Sequence, residues 1–102
     1  MQEEQGVIIQ FEYGTTDLSQ LFALDDALEE ALQDSDLGEY DGHEIAMDGS
    51  DGLLFLYGPN ADALFAHIKH ALVANSQISN VQATLRYGPP EDGVKEVVVH
   101  VK

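Results

Sequence analysis

The stretch from Asp41 to Glu44 holds the residue types best suited to acid–base chemistry. The imidazole of His43 lies between the carboxylates of Asp41 and Glu44. Asp41 and His43 would share one face of a strand, where a carboxylate can orient an imidazole for proton transfer. No serine or cysteine nucleophile in a G-x-S-x-G context accompanies them. We therefore favour a structural pair at a sheet edge and keep these three residues only as weak catalytic candidates.

Arg86 is the only arginine of the chain. The predicted sheet places it across from Glu12 on a neighbouring antiparallel strand. It can serve as a clamp for an anion or carboxylate, or it can form a cross-strand ion pair that contributes only about 0.5 kcal/mol. We favour the ion pair. Arg86 and Glu12 also outline a pocket with Tyr40 and Glu44. Such a pocket would serve as the active site of a small enzyme.

The second predicted helix carries His67 and His70, three residues apart. Such spacing can hold a metal ion, but His67 lies at the flank of the apolar stripe, His70 lies nearly opposite it, and there is no H-E-x-x-H motif. Neither a calcium-loop pattern nor a phosphate-binding glycine pattern occurs. The sequence thus predicts no cofactor and no metal, with the two histidines as weak candidates.

Asp25 falls inside the apolar arc of the first predicted helix. One explanation is that the helix breaks and restarts there, because Asp26 and Glu29 form a second capping-box pattern. The other is that Asp25 is a functional carboxylate at a rim. We favour the break.

Apolar periodicity predicts seven elements in the order β-α-β-β-α-β-β. Residues 1–6 are predicted to be a flexible tail, and residues 7–102 a single domain. The strands are predicted near residues 7–13, 39–47, 53–57, 79–87 and 94–101. The first helix follows a cap at Thr16 or Asp17, and the second follows a cap at Asn60.

A short repeat suggests how these elements are arranged. Phe11–Gly14 matches Phe55–Gly58 at a spacing of 44 residues, and a similar apolar stripe follows each segment. Two such units predict an α+β fold, the ferredoxin-like two-layer sandwich, with an antiparallel sheet of order 2-3-1-4-5 and both helices on one face.

The repeat also predicts which side chains face away from the helices. If Phe55 and Tyr57 face inward as Phe11 and Tyr13 do, Leu54 and Leu56 face outward. An exposed apolar patch on a sheet is typical of a contact surface. We therefore predict a homodimer or another protein contact there. The interface residues are predicted to be Ile8, Glu12, Tyr40, Leu54, Leu56 and Arg86.

The charge distribution is uneven. The first 68 residues hold 16 carboxylates and no lysine or arginine, and the net charge of the chain is −15. This charge repels nucleic acids and anionic lipids, so we predict neither as a partner. Alternatively, this chain is an inhibitor or immunity-type protein whose partner is a basic protein. The acidic surface would consist of Glu29, Glu30, Asp34, Asp36, Glu39 and Asp41.

Three strings of the sequence resemble a family of small uncharacterised bacterial proteins of about this length: Gly38–Glu44, Asp51–Pro59 and Leu85–Pro90. The resemblance implies a compact bacterial domain and no catalytic activity. The chain has no cysteine, and residues 2–5 carry neither basic nor apolar side chains, which favours the cytoplasm and argues against a signal peptide. Our leading hypothesis is a non-enzymatic, acidic binding or regulatory module.

Overall fold

The computed structural model describes residues 4–33, 35–89 and 91–102. Its elements are β1 Gln5–Glu12, α1 Ser19–Leu32, β2 Glu39–Ile45, β3 Asp51–Gly58, α2 Ala61–Ala74, β4 Ser79–Arg86 and β5 Glu96–His100. The strands form one antiparallel sheet of order β2-β3-β1-β4-β5. The predicted α+β fold is therefore confirmed, and it is consistent with a ferredoxin-like sandwich. Residues 5 and 6 belong to β1, although they were predicted to lie in the tail.

The two helices begin with different caps. The side chain of Asn60 accepts a hydrogen bond from the backbone N–H of Ala63, as predicted. At the start of α1, Asp17 accepts from the N–H of Ser19, which lowers the pKa of Asp17. The buried Tyr13 hydroxyl accepts from the N–H of Leu21 and donates to the carbonyl of Asp17. A phenol from the end of β1 thus satisfies a backbone donor that the first turn of a helix leaves free.

Both helices pack on the same face of the sheet, where the apolar core lies. Four leucines of α1 are buried at helical spacing: Leu21, Leu24, Leu28 and Leu32. They pack with α2 and with the inward side chains of the central strands. The helix runs through Asp25 without interruption, so the predicted break is wrong. Neither described helix is long and apolar enough to cross a membrane.

The orientation predicted for β3 is wrong. Leu54 and Leu56 are fully buried in the core. They pair with Ile9 and Val7 of β1, which face the helices as predicted. Phe55 pairs with Ile8 and therefore points to the other face of the sheet. The prediction failed because all residues from Leu53 to Tyr57 are apolar, so their pattern does not distinguish one face from the other.

A close contact at Gly52 accounts for the register. Gly52 pairs with Phe11 on the helix-facing side, and a Cβ at Gly52 would lie 2.6 Å from the backbone carbonyl oxygen of Glu44 and 2.7 Å from the ring of Phe11. Only a residue without a side chain leaves room for the ring. With Gly52 on this face, alternation places Leu54 and Leu56 there too, and Phe55 and Tyr57 opposite.

Two alanine substitutions on neighbouring residues test this register. Leu54→Ala should lower the free energy of unfolding by about 2–5 kcal/mol, because it leaves a cavity in the core. Phe55→Ala should cost about 1 kcal/mol, since its ring is only half-buried in the structure. Urea unfolding of both variants measures the difference. A larger loss for Phe55→Ala than for Leu54→Ala would contradict the register.

Candidate functional site

An irregularity in β2 determines which of its side chains reach the helices. Tyr40 pairs with Leu56 and Gly42 pairs with Phe55, so Asp41 is an extra residue on the β2 side. Gly42 has a φ of +113°, as is typical where a strand bulges. Because of the bulge, Tyr40 and His43 both lie on the helix-facing side, three residues apart. The prediction that Tyr40 faces the open side is therefore wrong.

Tyr40 and His43 meet on the carboxylate of Asp25 from α1. The Tyr40 hydroxyl donates to Oδ1, and Nδ1 of His43 lies 3.0 Å from Oδ1 and 2.9 Å from Oδ2. The side chains of His43 and Asp25 are about one-fifth exposed. We call these three residues the Asp25 cluster. The carboxylate that orients His43 is thus Asp25, rather than Asp41 as predicted.

In the Asp25 cluster a carboxylate orients an imidazole, which is one feature of an acid–base site. A carboxylate only accepts hydrogen bonds, so Nδ1 of His43 donates to Asp25. Glu44 pairs with Leu53 and points to the opposite face of the sheet. In the described ranges no group of three or more potential metal ligands occurs. The hydrogen bonds of Tyr40 and His43 to Asp25 link the edge strand β2 to α1.

Tyr40 shows the strongest electrostatic effect in the Asp25 cluster. Burial raises its pKa well above the usual value for a phenol, and the hydrogen bond to Asp25 and the negative charges of Asp25 and Glu29 raise it further. The protonated phenol is therefore stabilised as a donor to Asp25.

The other side of the sheet is covered by neither helix. We call it the open sheet face. From the pairing of the strands, it includes Ile8, Gln10, Leu53, Phe55, Tyr57, Gln82, Thr84, Arg86, Val98 and His100, with Glu12, Glu39, Glu44, Asp51 and Glu96 around its margin. The predicted outward orientation of Ile8 and Arg86 is confirmed. Phe55 and Tyr57 take the place that was predicted for Leu54 and Leu56.

Arg86 lies at one end of the open sheet face and is only 9% exposed. It pairs with Gly6 of β1 rather than with Glu12. Glu12 pairs with Ser79 at the opposite end of β4, so six residues of extended strand, about 20 Å, separate it from Gly6. The predicted Glu12–Arg86 ion pair is therefore wrong. The predicted enzyme pocket is not assembled either, because Tyr40 faces the helices.

The acidic residues border a groove between α1 and β2. The groove has a volume of about 710 Å³, and its carboxylates come from Asp26, Glu29, Glu30 and Glu39. Asp36 and Asp41 are exposed, whereas Asp34 lies outside the described residues. The groove is a concave part of the surface that was predicted to be acidic.

The two candidate metal ligands on α2 are not brought together. Nε2 of His67 lies 2.7 Å from the carbonyl oxygen of Ala31 and contacts the last turn of α1. His70 lines a different depression, next to Ala27 and Asn75. His67 thus links the two helices.

Sequence reasoning missed Asp25 as the partner of His43, and Phe55 and Tyr57 as residues of the open sheet face. A signal for Asp25 was present, because a carboxylate inside an apolar arc needs a partner. The partners lie 15 and 18 residues away, and only the packing of β2 against α1 identifies them.

Comparisons with protein-family models, with curated proteins and with solved structures gave no match. The site is therefore interpreted from its own geometry, and the family resemblance of the three sequence strings stays a prediction.

Alkaline titration tests the Asp25 cluster. Tyr40 should ionise at higher pH than an ordinary tyrosine, so Tyr40→Phe should remove a late part of the phenolate absorbance change. The unfolded chain loses this proton near pH 10, at a lower pH than the folded chain, so Tyr40 makes stability fall as pH rises above about 10. In Asp25→Asn, the pKa of Tyr40 should move towards its ordinary value. An unchanged late titration in Tyr40→Phe would contradict the assignment.

Proposed function

We propose that this protein is a non-enzymatic binding module that self-associates through its open sheet face. The observation that carries the proposal is the apolar centre of this face, which holds no carboxylate on a chain of net charge −15. Ile8, Leu53 and Phe55 form its centre and are half-buried, and Val98, which is 63% exposed, lies on the edge strand β5 beyond Thr84. Exposed apolar patches of this kind are typical of contact surfaces.

The position of the carboxylates supports a second copy as the partner. Glu12 and Asp51 pair with each other at one end of the face, and Glu39, Glu44 and Glu96 lie on the edge strands. The centre between them has no carboxylate. The centres of two such faces can therefore meet without a carboxylate between them, whereas burying an unpaired carboxylate would be costly. A basic partner, in contrast, gains no ion pair at this centre.

The size of the face predicts weak association. Strands about 4.8 Å apart and about 20 Å long give this five-stranded surface roughly 500 Å² per copy. A face-to-face dimer then buries on the order of 1,000 Å² in total, at the lower limit for specific interfaces. We expect dissociation constants in the micromolar range, so association should be measured at high protein concentration.

The groove between α1 and β2 supports the second candidate, an acidic inhibitor that binds a basic protein. Its carboxylates surround a concave surface into which a lysine or arginine side chain would fit. Salt distinguishes the two functions. Screening weakens an acidic–basic complex, whereas it strengthens a dimer of two chains that each carry a charge of −15.

The bacterial origin and the cytoplasmic location belong to the same proposal. The resemblance of the three sequence strings supports the first, and the absence of cysteine supports the second.

Two matched substitutions test self-association. Phe55→Glu places a charge at the centre of the open sheet face and should weaken the dimer at least about tenfold, since a buried unpaired carboxylate costs more than 1.4 kcal/mol. Phe22→Glu is the control, because Phe22 is 53% exposed on α1, away from this face. Sedimentation equilibrium at low and high salt measures both variants, and urea unfolding confirms that each one folds.

The wild type should be a dimer that tightens with salt, and Phe22→Glu should associate equally well. A wild type that remains monomeric at millimolar concentration would rule out self-association. Equal weakening by the two substitutions would show that the contact lies elsewhere.

A further inference from the structure

The strand β5 forms one edge of the sheet and lies beyond the helices. Within residues 4–33, 35–89 and 91–102, it pairs with β4 alone, and neither helix has a Cα atom within 8 Å of it. Val98 on the open sheet face is 63% exposed, and Val97 on the opposite face is 37% exposed. The free N–H and C=O groups of such an edge can pair with another strand. β5 therefore offers backbone donors and acceptors together with apolar side chains.

The two edges of the sheet differ. The edge strand β2 is interrupted by the bulge at Asp41, and Glu39, Asp41 and Glu44 are exposed along it. Bulges and charged side chains are features that keep an edge from pairing with another chain. β5 follows β4 without a shift in register and carries one carboxylate, Glu96. Of the two edges, β5 is thus the one that can accept a further strand.

The hydrogen bonds between β4 and β5 show which backbone groups point outward. The N–H of Tyr87 donates to the carbonyl of Lys95, and the N–H of Val101 donates to the carbonyl of Val81. Alternate residues of an antiparallel strand direct their N–H and C=O groups to the same neighbour. The odd-numbered residues of β5 therefore face β4. The residues whose backbone groups point away from it are Glu96, Val98 and His100.

We propose that β5 pairs antiparallel with β5 of a second copy, in a register centred on Val98, and so joins the two sheets edge to edge. Each Glu96 then lies opposite His100 of the other copy, and each Val97 lies opposite Val99. An imidazole N–H can donate to a carboxylate, and paired valines pack well across strands. The segment Glu96–His100 is thus complementary to itself. This contact is separate from the open sheet face and goes beyond the proposed function.

Charge and backbone direction select this register. Two residues at a two-fold axis exchange a pair of hydrogen bonds only if their backbone groups point outward. An axis at Glu96 would set two carboxylates opposite each other, and an axis at His100 would set two imidazoles opposite each other. An axis at Val98 pairs all of β5 through about six backbone hydrogen bonds. Glu96 then lies between Arg86 of its own chain and His100 of the second copy, so no two carboxylates meet.

Cysteine cross-linking tests the register, because the chain has no cysteine of its own. In the proposed pairing the two Val98 Cα atoms are about 5.5 Å apart, a distance that a disulfide spans. Val98→Cys should therefore form a disulfide-linked dimer with oxidised glutathione. Val97→Cys is the control, since its two copies would be more than about 7 Å apart and should not cross-link. Non-reducing electrophoresis measures both. Equal cross-linking of the two variants, or none in Val98→Cys, would overturn the register.

Two matched histidine substitutions test the charge pairing. His100→Glu should weaken the edge contact about tenfold, because it sets carboxylates opposite each other in both Glu96 pairs. His70→Glu makes the same replacement at an exposed position on α2 and should change the dissociation constant less than about twofold. Adding Glu96→Lys to His100→Glu should restore the affinity, because it exchanges the two charges. Sedimentation equilibrium measures these variants in the Phe55→Glu background, which weakens the proposed contact through the open sheet face. Equal dissociation constants for His100→Glu and His70→Glu would overturn the pairing.

The outcomes separate the edge contact from the proposed function. If both contacts form, dimers of the wild type should associate into tetramers at higher concentration, and Phe55→Glu should still dimerise. A Phe55→Glu chain that remains monomeric at millimolar concentration would reject the edge contact and retain the proposed function. A wild-type dimer that His100→Glu weakens and Phe55→Glu does not would support the edge contact and reject the proposed function. Should Phe55→Glu fail to fold, Val98→Cys still decides, because Val98 is exposed.

Discussion

The contact between the Phe11 ring and Gly52 is the constraint on which the arrangement of the sheet depends. The ring occupies the space that a side chain at Gly52 would fill, and this fixes the face on which every later residue of β3 lies. Leu54 and Leu56 are consequently in the core, and Phe55 and Tyr57 are on the open sheet face. A second glycine has the corresponding role on the other side, where Gly6 leaves room for the guanidinium of Arg86. The two glycines lie on neighbouring strands of the sheet. Because neither has a side chain, they determine both the packing of the core and the composition of the open sheet face.

The sequence predicted the order of the elements, the strand order and the outward orientation of Ile8 and Arg86, and in β4 apolar and polar residues alternate along the whole strand. It could not predict the orientation of β3, because five consecutive apolar residues are compatible with burial of either face. The short repeat misled the assignment, because Phe11 pairs with Gly52 whereas Phe55 pairs with Ile8, so the two phenylalanines point to opposite faces. The hydrophobicity of β3 indicates that the strand is buried, but steric fit at Gly52 decides which of its faces lies in the core.

The candidate site was harder to predict for a related reason. Period-two alternation separates Tyr40 from His43, and only the extra residue of the bulge at Asp41 brings them to one face. The carboxylate that they share comes from α1, which the sequence places far from β2. Asp25 was recognisable as an anomaly within the apolar arc, but a broken helix explained it equally well. The structure resolves the choice, because the continuous helix and the two donors from β2 together explain a half-buried carboxylate in that position.

The distribution of charge connects the two faces of the molecule. Carboxylates line the groove beside α1 and the β2 edge of the sheet, so any copy that approaches from those sides meets repulsion. The centre of the open sheet face offers apolar contact without a carboxylate in its middle. In the proposed dimer, repulsion at the periphery would disfavour other arrangements of the two copies, which would add specificity at a cost in affinity. A high net charge and a neutral patch are therefore compatible. In the proposed dimer, the carboxylates would oppose contact at the edges of the sheet, and the apolar centre would set the orientation of the two chains.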